Sequence, residues 1–330
     1  MTRRFEVLDG WRGISILLVL AAHLFPMGPK SWALNEPIAQ SGMAIFFILS
    51  GFLITNILMG DPSLRRFVIH RVMRIVPLAW LFLLITFAAT RPDPATWLGH
   101  FLFFANLQNP DLTPATAHFW SLCVEIQFYC EIALLFALFR DKTFWMLPLI
   151  GLAISVQRGY SGLSPATYNF YRVDEILAGC TLALIRAQGS ERLKRSIGRL
   201  DPALLFLGLV AVSHKDLARL DHLRPYIALL LVGSTLLADA PRWYHPILRH
   251  RVLKFLAKIS YALYVLHGGL RETWLGSGDK LECYLKRPLL LAATFGLAYL
   301  STRHYERHWI RLGRRWSQDV APLRAPEHAT

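Results

Sequence analysis

Long apolar runs recur along the whole chain, and short segments rich in Arg, Pro, Asp and Gly separate them. The runs are about 15 to 22 residues long, close to the ~20 residues that a helix needs to cross the hydrocarbon core of a bilayer. They lack the alternation of apolar and polar residues that marks a barrel strand. The pattern therefore predicts an all-α, polytopic membrane helix bundle, because a helix satisfies its backbone polar groups internally.

About ten transmembrane helices are expected from these runs, within one domain that covers residues 1–315. The predicted spans lie at 13–28, 38–59, 75–90, 119–139, 144–157, 173–187, 202–214, 225–240, 259–275 and 288–302. Residues 96–107 are apolar but too short to cross, which predicts an interfacial or re-entrant helix. Residues 316–330 are polar and contain proline, which predicts a disordered cytoplasmic tail.

The composition also indicates a membrane protein. Hydrophobic residues make up 54% of the chain and charged residues only 18%, which is too apolar for an ordinary soluble surface. The net charge of +14 raises nucleic acid as a partner. When the N-terminus is placed in the cytoplasm, however, the basic residues concentrate in the cytoplasmic segments, as the positive-inside rule requires. We therefore expect both termini in the cytoplasm, with a lipid bilayer as partner and no nucleic acid.

An arginine and a histidine bracket the apolar stretch WRGISILLVLAAH at 11–23. On a helix, Arg12 and His23 lie within about 20° of the same face and about 16 Å apart along the axis. Titratable groups in a membrane span are costly, so function is the default hypothesis for them. The structural alternative is that Arg12 extends to the inner headgroups and His23 makes a hydrogen bond between helices.

Two further motifs place charged groups beside or inside the apolar runs. Arg71 and Arg74 are three residues apart in FVIHRVMRIVP, so on a helical turn they form either a candidate phosphate site or a generic basic loop. Glu125 lies inside the fourth predicted span. A carboxylate there must be paired or protonated, and Arg172 or His23 are the candidate partners.

A third motif, KISYALYVLHGG at 258–269, places Ser260, Tyr264 and His267 on one helix face. Such side chains often form hydrogen bonds between membrane helices. Intramembrane His and Glu also serve as proton relays, so a proton-coupled transporter or flippase of a glycan precursor is the alternative to an enzyme. No internal repeat and no matching pair of Gly- and Pro-broken spans is evident in the sequence, which argues against a transporter.

Taken in order, the motifs resemble those of the bacterial acyltransferase-3 membrane proteins. They are LDGWRGISILLVLAAH, FFILSGFLI, RVMRIVP, WSLCVEIQFY, ISYALYVLH and the closing LSTRHYERHWIRL, and they extend over residues 5–315. The family's Arg-x10-His pattern matches Arg12 and His23, and its Arg-x-x-Arg pattern matches Arg71 and Arg74. The resemblance therefore covers nearly the whole chain.

The chain departs from the family pattern at two places. The family's Trp-Ser-Leu motif and its following Glu match residues 120–122 and Glu125, but Ile126 stands where the family often has a second Glu. A mechanism that needs two acids there is weakened, whereas one that needs Glu125 is not. The additional C-terminal esterase-like domain of some relatives is not expected.

The resemblance implies an acyl-CoA-dependent O-acyltransferase in the bacterial cytoplasmic (inner) membrane. Acyl-CoA, typically acetyl-CoA, would be the co-substrate, and a hydroxyl of an extracytoplasmic saccharide or glycolipid the acceptor, with no tightly bound cofactor or metal. His23 is expected to act as general base or acyl carrier, with Glu125 and Arg12 completing the catalytic set. Arg71 and Arg74, together with Arg12, would bind the donor. Residues expected to hold the acceptor or line the cavity are Ser50, Trp120, Ser121, Tyr129, Arg172, Tyr261, Tyr264 and His267.

Overall fold

The computed structural model describes residues 5–107, 112–161 and 169–318, and no strand occurs in this part of the chain. The α-helices are α1 (Glu6–Leu24), α2 (Asn35–Gly60), α3 (Leu64–Thr90), α4 (Pro94–Phe101), α5 (Phe119–Phe139), α6 (Lys142–Ser161), α7 (Val173–Gln188), α8 (Glu191–Gly198), α9 (Pro202–Val212), α10 (Arg224–Leu236), α11 (Tyr244–Leu248), α12 (Arg251–Arg271), α13 (Lys280–Leu300) and α14 (Arg307–Gln318). The all-α class that the sequence predicts is confirmed.

Each predicted span overlaps one of the longer helices, in the order α1, α2, α3, α5, α6, α7, α9, α10, α12 and α13. By length and composition, 4 helices of the described part can cross a membrane, namely α1, α2, α3 and α5, and α9 is a shorter apolar helix. These apolar helices make the chain a multi-pass membrane protein. The number of about ten spans and the side of each terminus remain predictions.

Several helices begin earlier than the apolar runs, because polar caps set their first turns. The third predicted span begins at residue 75, whereas α3 starts after Ser63, whose Oγ accepts a hydrogen bond from the Arg66 amide at 3.4 Å. The last predicted span begins at residue 288, whereas α13 starts after Asp279, whose carboxylate accepts from the Glu282 amide at 2.8 Å. These helices therefore extend beyond the segment that hydropathy identifies.

The predicted interfacial helix corresponds to α4, which Asp93 caps by accepting hydrogen bonds from the amides of Ala95 at 2.9 Å and Thr96 at 3.1 Å. At the other end of the chain, the π-helical turn Ser301–Glu306 joins α13 to α14. Helix α14 packs against α3 and continues to Gln318, into the segment predicted to be disordered. The rest of that segment, residues 319–330, lies outside the described part.

Helix α1 packs against both α2 and α12, and α2 packs against α7. Gly51 of α2 faces the backbone of Ile176, and Gly179 of α7 faces the backbone of Ile48. A Cβ atom at either glycine would collide with main-chain atoms. Two membrane helices can approach this closely only through small residues, so the two glycines fix the crossing of α2 and α7.

Six charged side chains form a buried network where α6 ends and where α7 and α10 begin. The members are Arg158, Arg172, Asp174, Glu175, Asp221 and Arg224. Glu175 accepts hydrogen bonds from Arg172 Nη2 at 2.8 Å and from Arg224 Nε at 2.6 Å. Arg158 pairs with Asp174, and its Nη2 lies 3.1 Å from an Asp221 carboxylate oxygen. The network joins three helix ends, and its three arginines are balanced by its three carboxylates.

Glu175→Gln is expected to lower the free energy of unfolding by about 3–5 kcal/mol, because it leaves Arg172 and Arg224 buried without their carboxylate. Unfolding of the purified protein in detergent, induced by heat or SDS, measures the change. The control is Glu191→Gln, which removes an exposed ion pair with Lys194 at 2.9 Å and should change stability far less. Equal losses in the two variants would contradict a structural role for the network.

Candidate functional site

The charged residues of the predicted site line three separate cavities, which define a path from Arg71 past Arg12 to His23. The Arg71 cavity, of about 180 Å³, lies between α3 and α14 and is lined by Arg71, Arg74 and Arg314. The Arg12 cavity, of about 30 Å³, is lined by Arg12 and Glu125. The His23 cavity, of about 340 Å³, is lined by the end of α1 and by α12 and α13. Arg12 and His23 thus face successive cavities, as their helical spacing predicts.

The three arginines of the predicted donor site are close enough to influence one another. Arg12 lies within electrostatic reach of Arg71 and Arg74, and also of Glu125. No carboxylate in the described part lies within ion-pair distance of Arg12 or Arg74. Guanidinium groups held together without a direct ion pair favour an anionic ligand, and their forked donors match phosphate oxygens.

Glu125 is buried and makes its hydrogen bonds to hydroxyl groups. Ser50 Oγ donates to Glu125 Oε1 at 2.7 Å, and the Tyr129 hydroxyl donates to the same oxygen. The guanidinium of Arg71 lies 5.7 Å above the Tyr129 ring. Glu125, Ser50 and Tyr129 therefore form one hydrogen-bonded cluster, which connects the Arg12 cavity to the Arg71 side chain.

Neither partner that the sequence suggested for Glu125 contacts it. Arg172 pairs instead with Glu175, and its guanidinium lies 4.9 Å above the ring of Trp120. Arg172 and Trp120 border none of the three cavities. The reason is local, because Glu175 lies one turn from Arg172 on the same chain segment, whereas His23 is bonded to another histidine.

His23 and His267 form a direct hydrogen bond between α1 and α12, with His23 Nδ1 2.9 Å from His267 Nε2. His267 Nδ1 lies 2.7 Å from the carbonyl oxygen of Tyr264. A carbonyl only accepts, so Nδ1 of His267 carries the proton and, in the neutral ring, Nε2 is the acceptor. His23 must then donate from Nδ1, which leaves Nε2 of His23 with the free lone pair. This is the tautomer that a general base needs.

The hydroxyl residues predicted to line the cavity fall into two groups, because Ser50 and Tyr129 bond to Glu125 and border none of the three cavities. The Tyr264 hydroxyl contacts Ser121 Oγ and donates to the backbone carbonyl of His118. Tyr261 donates to a backbone carbonyl of α3 at 2.6 Å. Ser121, Tyr261 and Tyr264 line the Arg12 cavity, whereas His267 lines none of the three and is hydrogen-bonded to His23. Side chains capable of holding a metal ion as a group of three or more do not occur in the described residues.

Sequence reasoning missed four charged residues near the ends of the path. Arg314 of α14 lines the Arg71 cavity, and Arg271 and Arg287 line the His23 cavity. Glu306 is buried on the π-helical turn and lies within electrostatic reach of Arg74. The available signal for Glu306 was a carboxylate inside the closing motif LSTRHYERHWIRL. The arginines carried no comparable signal, because each lies just outside an apolar run.

Comparison with curated proteins finds relatives that carry acetyltransferase names. The chain is 25% identical over 309 residues to the "Putative O-acetyltransferase SACOL0978" of Staphylococcus aureus (strain COL), covering 79% of this chain and 49% of that protein. It is 25% identical over 348 residues to the peptidoglycan O-acetyltransferase OatA of Listeria monocytogenes, covering 91% and 54%. It is 26% identical over 311 residues to the "Putative peptidoglycan O-acetyltransferase YrhL" of Bacillus subtilis, covering 79% and 47%.

The chain spans about half the length of the curated relatives it matches. No solved structure matches it significantly. A family model described as an acyltransferase domain matches residues 5–311, which is nearly the whole of the described chain. This match includes the motifs of α1, α3, α5 and α12 in one continuous alignment. The chain therefore belongs to the acyltransferase-3 family.

Proposed function

We propose that the protein is an O-acyltransferase of the bacterial cytoplasmic membrane that moves an acetyl group from acetyl-CoA to a hydroxyl of a surface saccharide. The observation that carries the proposal is the set of three cavities, which contain an arginine cluster without a direct ion pair, the buried Arg12, and a histidine whose Nε2 lone pair is free. Family membership supports acyl transfer. The names of the relatives, two of which refer to peptidoglycan, support acetyl as the group and a glycan as the acceptor.

The donor enters at the Arg71 cavity. Arg71, Arg74 and Arg314 grip the phosphates of CoA, as guanidinium forks do in other phosphate sites. The positive-inside rule favours the cytoplasmic side for this end, and acetyl-CoA is made in the cytoplasm. The pantetheine arm then extends past Arg12 toward His23. The Arg12 cavity is narrow, about 30 Å³, so its wall, which includes Met43 and Phe46, must open for the arm to pass.

The reaction takes place at the His23 cavity. His23 Nε2 removes the proton from the acceptor hydroxyl while the hydroxyl oxygen attacks the thioester carbon. The carbon–sulfur bond breaks, the CoA thiolate leaves, and the proton on His23 passes to the thiolate, so that the products are an acetyl ester and CoA. In the second route, Nε2 attacks the thioester carbon and the carbon–sulfur bond breaks, which leaves an acetyl-imidazole and the CoA thiolate. The acceptor hydroxyl then attacks the acetyl carbon, its proton passes to the thiolate, and His23 is released. Both routes use the same lone pair.

The proposal is tested with proteoliposomes that contain a soluble glycan and receive radiolabelled acetyl-CoA from outside. We expect label in ester linkage on the enclosed glycan, removable by mild base, and release of CoA outside. Empty liposomes and acetyl-CoA labelled in the nucleotide are the controls. Entry of intact acetyl-CoA or of free acetate without ester formation would contradict acyl transfer and favour a transporter.

Arg71→Gln is expected to raise the KM for acetyl-CoA about tenfold, because it removes one charge-assisted phosphate contact. The KM for the glycan should change little, since Arg71 lies at the opposite end of the path. Arg65→Gln, on the exposed surface of the same helix, is the matched control. Initial rates at varied acetyl-CoA and fixed glycan measure the effect. A donor KM that is equal in the two variants would remove Arg71 from the donor site.

A further inference from the structure

The wall of the His23 cavity carries positive charge. Arg271, at the end of α12, and Arg287, on α13, both line this cavity together with His23. Arg271 is also within electrostatic reach of the His23 ring. At about 340 Å³, the cavity lies within the range that ligand sites occupy, and it is the largest of the three. A hydroxyl that enters this cavity therefore meets two guanidinium groups on its wall.

Neither arginine is neutralised by the protein. Within residues 5–107, 112–161 and 169–318, no carboxylate lies at ion-pair distance from Arg271 or Arg287. Lys286, the neighbour of Arg287 in the chain, differs because it pairs with Glu282. The positive charge of the cavity wall is therefore available to a ligand.

The Arg287 guanidinium is also held in place. It lies 3.8 Å from the centroid of the Tyr284 ring and 5.5 Å from that of Phe25. Stacking on aromatic rings orients a guanidinium without satisfying its N–H donors. Arg287 thus presents its forked donors in a fixed direction, which reduces the side-chain entropy that this arginine loses when an anionic ligand binds.

We infer that the acceptor is an anionic glycan, whose carboxylate or phosphate binds Arg271 and Arg287 while a nearby hydroxyl meets His23. This inference rests on the proposed function, since it assigns the acceptor end of the same path. The CoA phosphates have a separate arginine cluster at the Arg71 cavity, so the arginines beside His23 are not needed for the donor. Bidentate pairing with an oxyanion provides both affinity and orientation of the hydroxyl.

The experiment compares three acceptors in proteoliposomes supplied with radiolabelled acetyl-CoA. They are N-acetylchitotetraose, which is neutral, a hyaluronan tetrasaccharide, which carries carboxylates, and a 6-phosphorylated chitotetraose. We expect the KM of at least one anionic glycan to be about tenfold below that of the neutral one. The anionic glycan with the lower KM shows whether the site prefers a carboxylate or a phosphate. Arg271→Gln and Arg287→Gln should each raise that KM toward the neutral value. Lys280→Gln, which removes a charge from α13 outside the cavity, should not.

The outcomes separate the two levels of the proposal. Equal KM values for neutral and anionic glycans would overturn the charge inference and leave acyl transfer intact. The charge inference would also be overturned if the two arginine variants raised the KM for acetyl-CoA and left the KM for the glycan unchanged. That result would assign Arg271 and Arg287 to the binding of acetyl-CoA. Absence of label on every glycan would count against the proposed function itself.

Discussion

His23→Ala is expected to lower kcat for acetyl transfer by about 10²–10⁴-fold, because His23 is assigned the only step that activates the acceptor hydroxyl. His23→Gln should lose as much activity. Glutamine can still donate a hydrogen bond to His267, but it has no basic nitrogen. The pair of variants therefore separates the chemistry of His23 from its role in joining α1 to α12. Transfer of label from acetyl-CoA to glycan in proteoliposomes measures both.

The matched control is His304→Ala, which removes an exposed histidine from the π-helical turn. The two routes, general base and acyl carrier, are distinguished by incubating the wild-type protein with labelled acetyl-CoA and no acceptor. If His23 carries the acetyl group, the wild-type protein becomes labelled and His23→Gln does not. If His23 is a general base, neither protein is labelled. Either His23 variant that folds, inserts into the membrane and still transfers acetyl at the wild-type rate would exclude His23 from the mechanism.

The sequence predicts best what the regular geometry of one helix determines. Arg12 and His23 face successive cavities along α1, and Arg71 and Arg74 line one cavity. These relations follow from spacing along a single helix, because 3.6 residues per turn fix which side chains share a face. The roles of these residues remain predictions, but their placement needed no tertiary information.

Contacts between helices could not be predicted in the same way. The bond from His23 to His267 joins residues 244 positions apart in the chain, and it depends on the rotation of α1 against α12. Glu125 was expected to meet Arg172 or His23, but α5 presents it to Ser50 and Tyr129 instead. Hydropathy carries no information about helix rotation inside a bundle whose helices are apolar on most sides.

The end of the chain shows a different limit. The polar sequence of residues 316–330 predicts an unstructured tail, yet α14 continues to Gln318. This helix packs against α3, and its Arg314 lines the Arg71 cavity. The π-helical turn before it inserts an extra residue per turn, which changes the direction of the side chains that follow. Glu306, the last residue of this turn, is buried, and a pattern that assumes regular α-helical spacing does not place it there.

His267→Phe is expected to lower kcat by about 10²-fold with the KM for acetyl-CoA unchanged, because the tautomer of His23 is no longer fixed. Phenylalanine keeps the ring volume but cannot accept the hydrogen bond from His23 Nδ1. His267→Gln supplies an acceptor oxygen on a similar side chain and should recover part of the lost activity. Recovery by Gln but not by Phe would identify His267 as a positioning residue that acts through its hydrogen bond. If the two folded variants were equally impaired, or equally active, His23 would not depend on this bond.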